Sequence, residues 1–126
     1  MTIKAMVGAF EVPIKLDFKL VLEILPADFD IHLTKAFTDG EKANELLTRL
    51  LLDDELIIRL CLYFAKDSTM TTDELMKLTS ADLDVFRTKF WDAYVAFSPP
   101  LRRELMISTW KEAQLALKSQ GKNSNS

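Results

Sequence analysis

The sequence predicts a small, mainly α-helical domain: a bundle of about five or six helices with a short strand or hairpin at its N-terminus. Three observations predict this class. The chain has 126 residues, the size of one domain. Its composition, 48% hydrophobic with three Gly and four Pro, is typical of a compact globular protein. Apolar residues recur at spacings of three and four along most of the chain, as on helices. We expect one domain over residues 1–118 and a disordered polar tail over residues 119–126.

The first third of the chain is predicted as a hairpin followed by short helices. Residues 2–16 are rich in β-branched side chains and lack a helical stripe, which favours a short strand or hairpin. Residues 15–25 carry apolar side chains four apart, and Pro26 is expected to end this helix. Residues 27–37 repeat the same spacing and should add a helical turn or two before an Asp39-Gly40 turn.

Residues 41–66 form the most hydrophobic part of the chain, and their apolar side chains cover nearly the whole helix circumference. A helix of this kind is buried on several sides or shared with a partner chain. We expect the core to be organised around it, with Asp53 or Asp54 capping its second half. Self-association through residues 46–64 is a hypothesis that follows from the same pattern.

Capping signals divide the second half of the chain into three helices. Thr71 and Glu74 have the spacing of a capping box, and Thr79-Ser80 offers a second cap. Ser98-Pro99-Pro100 should end the long helix that follows and, through the Ser98 side chain, start the last one. The apolar face of the long helix is predicted to consist of Leu83, Phe86, Phe90, Ala93 and Phe97, and that of the last helix of Met106, Trp110, Ala113 and Leu117.

Residues that could support catalysis or metal binding are few. A single cysteine, Cys61, excludes an internal disulfide, and with only one histidine, His32, it leaves too few ligands for a standard zinc site. His32 lies between apolar neighbours, where a structural role is far commoner than catalysis. The three glycines are isolated, so no phosphate loop is present, and acidic pairs at helix starts are explained as caps. We therefore expect a protein that is not an enzyme and has no cofactor or metal.

The charge distribution argues against nucleic acid as a partner. Residues 99–126 hold five basic and two acidic side chains, a net of +3, so residues 1–98 sum to −6 within the total of −3. The only adjacent basic pair in that last part is Arg102-Arg103, whereas nucleic-acid binding needs a clustered basic face.

No apolar run approaches the roughly 20 residues of a membrane span, and none near the N-terminus is long enough for an export signal. We expect a soluble protein of a reducing cytoplasm without membrane contact.

The aromatic stretch over residues 90–97 leaves two alternatives open. Phe90 and Phe97 belong to the buried stripe of the long helix, but Trp91 and Val95 lie off it by about 100° per residue. Either this helix is packed on two sides or Trp91 belongs to a binding patch, where aromatic residues are enriched.

Residues 79–118, about a third of the chain, resemble a known family. The stretch from Phe90 to Lys111 contains Phe-Trp-x-x-Tyr-x-x-Phe, a Ser-Pro-Pro break, the basic pair and a Trp-Lys dipeptide. This order is similar to that of the small tail assembly chaperones of long-tailed bacteriophages. The resemblance implies a non-catalytic protein of the host cytoplasm that binds the tape measure protein, helps the tail tube protein to assemble around it and is absent from the mature virion.

The resemblance also implies a longer form of the same protein, made by a minus-one ribosomal frameshift. Residues Gln120-Gly121-Lys122 can be encoded CAG GGA AAG, which contains the slippery sequence G GGA AAG. Such a chaperone needs apolar and aromatic surface with a basic rim. The candidate protein-interaction residues are Trp91, Tyr94, Val95, Arg102, Arg103, Met106 and Trp110. We also expect a homo-oligomer. A small helical DNA-binding regulator and a generic helical adaptor remain the alternatives.

Overall fold

The computed structural model describes residues 2–65 and 71–124. This part of the chain contains one antiparallel hairpin and six α-helices, so the predicted mainly α class is confirmed. A π-helical segment over Leu20–Ile24 and a 3-10 turn over Lys35–Phe37 complete it. The elements are β1 (Thr2–Val7), β2 (Phe10–Lys15), α1 (Leu25–Phe29), α2 (Gly40–Leu52), α3 (Asp54–Ala65), α4 (Thr72–Met76), α5 (Ser80–Phe97) and α6 (Pro100–Ser124).

The predicted N-terminal hairpin is present. Strands β1 and β2 pair in register from Thr2 with Lys15 to Val7 with Phe10. Gly8 begins the two-residue loop with φ of 64°, a conformation that costs glycine little and other residues more. Alternate side chains of the two strands are buried, and this face packs on α5 and α3. The hairpin therefore covers one side of the helical core.

Pro26 does not end the first helix, so that prediction was wrong. The π-helical segment leads directly into α1, where Pro26 lies in the first turn. The Leu25 N–H donates to the carbonyl of Leu20, five residues earlier. This shift places the proline, which has no N–H, where a helix start leaves donors unpaired in any case. The helix ends instead at Asp30, whose φ of 53° is left-handed.

The Asp39-Gly40 turn was also predicted wrongly. Asp39 is the N-cap of α2, and its carboxylate accepts from the N–H groups of Glu41 at 3.0 Å and Lys42 at 3.4 Å. Gly40 is the first residue of that helix. Of the helical turns expected over residues 27–37, the structure has the end of α1 and the 3-10 turn.

Three further cap predictions rest on side-chain hydrogen bonds. Asp53 separates α2 from α3 and accepts from the Leu56 N–H at 3.1 Å, as predicted. Thr71 accepts from the Glu74 N–H at 3.2 Å at the start of α4, but among the described residues the Glu74 side chain does not return the bond, so only half of the predicted capping box is formed. Thr79 and Asp82 form a reciprocal capping box at the start of α5. These caps fix where the helices begin and therefore which faces they present to the core.

The core lies between the hairpin and the helices, with α5 at its centre. Phe86 and Phe90 of α5 are fully buried. Helix α3 contacts α2, α4, α5 and β2, which explains why its apolar side chains surround the helix. Leu52 and Leu62 remain exposed, to 60% and 38%. Burial within one chain thus accounts for most of residues 46–64, and self-association through them stays a prediction.

Arginine side chains bind the C-terminal ends of two helices, a feature that the sequence pattern did not predict. The Arg87 side chain is buried and donates through Nη1 to the carbonyls of Leu50, at 3.1 Å, and Leu51. Its Nη2 lies 2.7 Å from Asp54 Oδ1. Similarly, Arg49 donates to the carbonyls at the end of α1, and Arg59 donates to that of Asp28 at 2.7 Å. Cations suit these positions because helix C-termini carry partial negative charge.

Helix α6 continues to Ser124, beyond the boundary expected at residue 118. Residues 125–126 of the predicted polar tail lie outside the described residues. Within the described ranges, no helix combines the length and the apolar character that crossing a membrane requires.

Candidate protein-interaction site

The Ser98-Pro99-Pro100 break folds α6 back against α5. Ser98 adopts the extended conformation expected before proline, with φ of −75° and ψ of 157°. Its hydroxyl donates to the Tyr94 carbonyl at 2.6 Å and so caps the end of α5. The predicted use of the Ser98 side chain is thereby corrected, because the hydroxyl is committed to the preceding helix.

Trp91 and Trp110 lie inside the interface that this fold creates. Their rings stack with centroids 4.8 Å apart and an interplanar angle of 17°. They are only 5% and 6% exposed. Of the two alternatives for Trp91, the structure therefore has a helix packed on two sides. Both side chains are therefore largely buried, and Trp91 also lines the cavity described below.

Within the described part of the chain, the Nε1 atoms of Trp91 and Trp110 are buried and have no hydrogen-bond partner. A buried donor left unpaired costs about 1–3 kcal/mol. The stacked pair therefore stabilises the α5–α6 contact through apolar and aromatic packing alone.

Tyr94 connects α5 to the loop that precedes α2. Its hydroxyl donates to the Leu33 carbonyl at 2.8 Å, and the residue is only 2% exposed. Burial raises the pKa of the Tyr94 phenol far above its usual value, and the positive charge of Arg102 offsets part of that shift. Tyr94 is therefore a neutral hydrogen-bond donor at physiological pH.

The two arginines of the basic pair have different surroundings. Arg103 donates to the carbonyls of Ser98 at 3.2 Å and Ala96 at 3.0 Å, so it caps the C-terminus of α5. Its predicted steering role thus competes with a structural one. Arg102 is exposed and lies beside a cavity. Val95 is half-buried, and Met106 is buried.

A cavity of about 220 Å³ lies between α2, α5 and α6. It brings together four predicted site residues and leaves out Val95, Arg103 and Trp110. Six further lining residues were not predicted as part of a site, although Leu46 and Leu47 lie in the segment flagged for unusual hydrophobicity. The lining consists of Trp91, Tyr94, Arg102 and Met106 with Ala36, Ala43, Leu46, Leu47, Leu105 and Thr109.

A second cavity, of about 230 Å³, lies farther along the same two helices α2 and α6. Leu47 lines both cavities. The other residues that line the second cavity are Asn44, Thr48, Leu51, Leu52, Ala113, Ala116 and Leu117. We call the two cavities together the α2–α6 cleft. Leu52 and Leu105 are 60% and 69% exposed, so apolar surface continues out to its edge.

The residues considered for catalysis or metal binding lie elsewhere. His32 Nε2 lies 3.0 Å from Asp30 Oδ1 in an exposed contact. Burial raises the pKa of the Cys61 thiol to about 11, which keeps it protonated and of low reactivity at neutral pH. No group of three or more His, Cys, Asp or Glu among the described residues could hold a metal ion.

Comparison with protein-family models finds no match, and comparisons with curated proteins and with solved structures find no significant match.

Proposed function

We propose that this chain is a tail assembly chaperone of a long-tailed bacteriophage. In this role it binds the tape measure protein in the host cytoplasm, promotes assembly of the tail tube protein around it, catalyses no reaction and is absent from the mature virion. A longer frameshifted form and homo-oligomers belong to the same proposal. The sequence support is the resemblance over residues 79–118, which form α5, the Ser-Pro-Pro break and most of α6.

The α2–α6 cleft is the observation that carries this proposal. It is an open, mostly apolar depression bordered by both helices that bear the resemblance and by α2. Four of the predicted interaction residues line it. Apolar clefts bind helical segments by burying side chains and need few specific hydrogen bonds. A chaperone that contacts many segments of a long helical partner requires this kind of binding.

The basic end of the cleft adds a steering element. Arg102 lines it beside Tyr94, and Arg103 is the next residue. Exposed positive charge attracts acidic segments and speeds encounter more than it adds affinity. Arg103 contributes its charge here even though its guanidinium caps α5.

Co-expression with the tape measure protein encoded in the same genome tests the proposal. The soluble fraction of the tape measure protein should rise with this chain and not with an unrelated helical protein of similar size. The two proteins should also co-purify. If the tape measure protein stays equally insoluble in both cases, the chaperone function is refuted. Sequencing the codons for residues 120–122 tests the frameshift separately, because any codon choice that breaks G GGA AAG removes that slippery site.

A further inference from the structure

Helix α6 is attached to the rest of the fold by few side chains. It has 25 residues and packs mainly on α5. Among residues 102–118, only Met106 and Trp110 are buried, and both lie in the first half of the helix. The other side chains in this range are exposed or half-buried. The surface that α6 buries is therefore small for a helix of this length.

This small surface is also incompletely packed. The two cavities of the α2–α6 cleft lie between α6 and α2. Among the described residues, the Nε1 atoms of Trp91 and Trp110 have no hydrogen-bond partner. Unfilled space forfeits van der Waals contacts, and a buried donor without a partner opposes the packing that buries it. Moving α6 away from α5 would let water pair with both N–H groups.

The core on the other side of α5 is built from elements that precede α6. Phe64 of α3 contacts Phe86 and Phe90 of α5, with ring centroids 6.3 Å apart in both pairs. The buried face of the hairpin packs on the same two helices, and Ile14 of β2 is fully buried there. These contacts stay in place when α6 leaves.

The connection between α5 and α6 has the properties of a hinge. Ser98 is extended, and the two prolines that follow have no N–H to continue the hydrogen bonds of α5. Arg103 donates to the carbonyls of Ser98 and Ala96, which lie at the break itself. These bonds therefore hold the start of α6 and not its length.

We infer that α6 is a strap that opens as a unit about the Ser98-Pro99-Pro100 break while the rest of the domain stays folded. Opening separates Trp110 from Trp91 and exposes both, which are two of the predicted interaction residues that the structure buries. It also widens the α2–α6 cleft, because α6 forms one wall of both cavities. The inference is independent of the proposed function, since it concerns this chain alone.

Hydrogen exchange of the backbone amides, resolved by NMR on the full chain, tests the inference. An isolated helix is marginal in water, so the amides of an opened α6 exchange. Amides of residues 104–118 should be protected at least about a hundredfold less than those of residues 86–94 in α5. Low concentrations of urea should speed exchange in α5 steeply and in α6 little, because opening α6 exposes far less surface than global unfolding does.

Three variants show which contacts the opening breaks. Ile14→Val weakens the core away from α6, so it should lower the protection of α5 about fivefold and leave that of α6 within about twofold. Met106→Ala removes a buried side chain of the strap and should lower the protection of α6 about tenfold or more. Ile107→Ala is its matched control, because Ile107 is adjacent and 44% exposed, and should change that protection by less than about twofold. Thermal unfolding followed by circular dichroism checks that all three variants fold.

Three results would overturn the inference. The first is equal protection and equal urea dependence in α5 and α6, which would make the domain a single cooperative unit. The second is an equal loss of protection in both helices when Ile14 is replaced by valine. The third is unchanged exchange of α6 in Met106→Ala, because α6 would then lose its own hydrogen bonds without leaving α5.

Discussion

Replacing Arg87 with methionine should destabilise the fold, because it removes the donors that bind the carbonyls at the C-terminal end of α2. The residue lies on α5 beside the fully buried Phe86, yet its guanidinium reaches the C-terminal end of α2. Methionine retains much of the aliphatic packing of arginine and removes the donors and the charge. The substitution therefore isolates the capping interaction.

The loss can be worked out from the contacts. The Leu50 carbonyl hydrogen bond is buried, so losing its donor costs about 1–3 kcal/mol, and the partly buried Leu51 bond adds about 1 kcal/mol. The carboxylates of Asp54 and Asp84 are 62% and 70% exposed, so water screens them and each pair contributes well under about 1 kcal/mol. Relief of the arginine desolvation offsets part of the loss. We expect a net loss of about 2–3 kcal/mol.

Equilibrium urea unfolding, followed by tryptophan fluorescence and circular dichroism, measures this loss. The melting temperature should fall by about 8–12 °C for a domain of this size. Lys89→Met removes a positive charge from a half-buried position on the same helix and should change stability by less than about 0.5 kcal/mol. If Arg87→Met and Lys89→Met are equally mild, the reasoning on helix capping is refuted.

Three further predictions concern other buried features. Trp110→Phe should lower the free energy of unfolding by less than about 2 kcal/mol, because it keeps an aromatic ring against Trp91 and removes an unpaired donor. Trp110→Ala should lower it by about 3–5 kcal/mol in the same unfolding assay. Equal losses would contradict this account of the stack. Burial raises the pKa of Cys61 to about 11, so the folded state favours the neutral thiol and the free energy of unfolding should fall as pH rises from about 9 to 11. Cys61→Ala should remove about 2 kcal/mol of that fall. Parallel pH profiles for the variant and the wild-type chain would contradict this prediction. Gly8→Ala should lower the free energy of unfolding by about 1–2 kcal/mol, because alanine is strained at φ of 64° and its Cβ would lie 3.2 Å from Leu78 Cδ2. An unchanged melting temperature would contradict this prediction and show that the loop relaxes.

The sequence predicted features that depend on a few neighbouring residues. Asp53 and Thr79 cap the helices that directly follow them, so chain order alone reveals the signal. At Asp39 two signals conflict, because an aspartate can cap a helix and an Asp-Gly pair is also typical of a turn. Pro26 was misplaced for a different reason. A π-helical segment precedes Pro26 and shifts the backbone hydrogen-bond pattern, and the spacing of apolar residues does not indicate that shift.

Features that depend on distant contacts could not be predicted in the same way. The hydrogen bonds of Arg87 join residues 37 and 36 positions apart, so nothing near Arg87 in the sequence indicates them. Likewise, Trp91 is buried because α6 folds back and places Trp110 on it. Its position off the main stripe of α5 indicated a second contact surface correctly, but not whether this chain or a partner supplies it.

The α2–α6 cleft arises because α6 is held firmly at one end. Near its start, Arg103 bonds the end of α5, and Trp110 stacks on Trp91. Beyond that stack, Ala113 and Ala116 face α2 with side chains too short to fill the space, which leaves the second cavity. Larger side chains at these two positions would bring this face of α6 into contact with α2 and bury Leu52, as packing of a single chain favours. The small residues keep the wall apolar while leaving space between the helices, and this combination supports the proposed binding of a partner segment there.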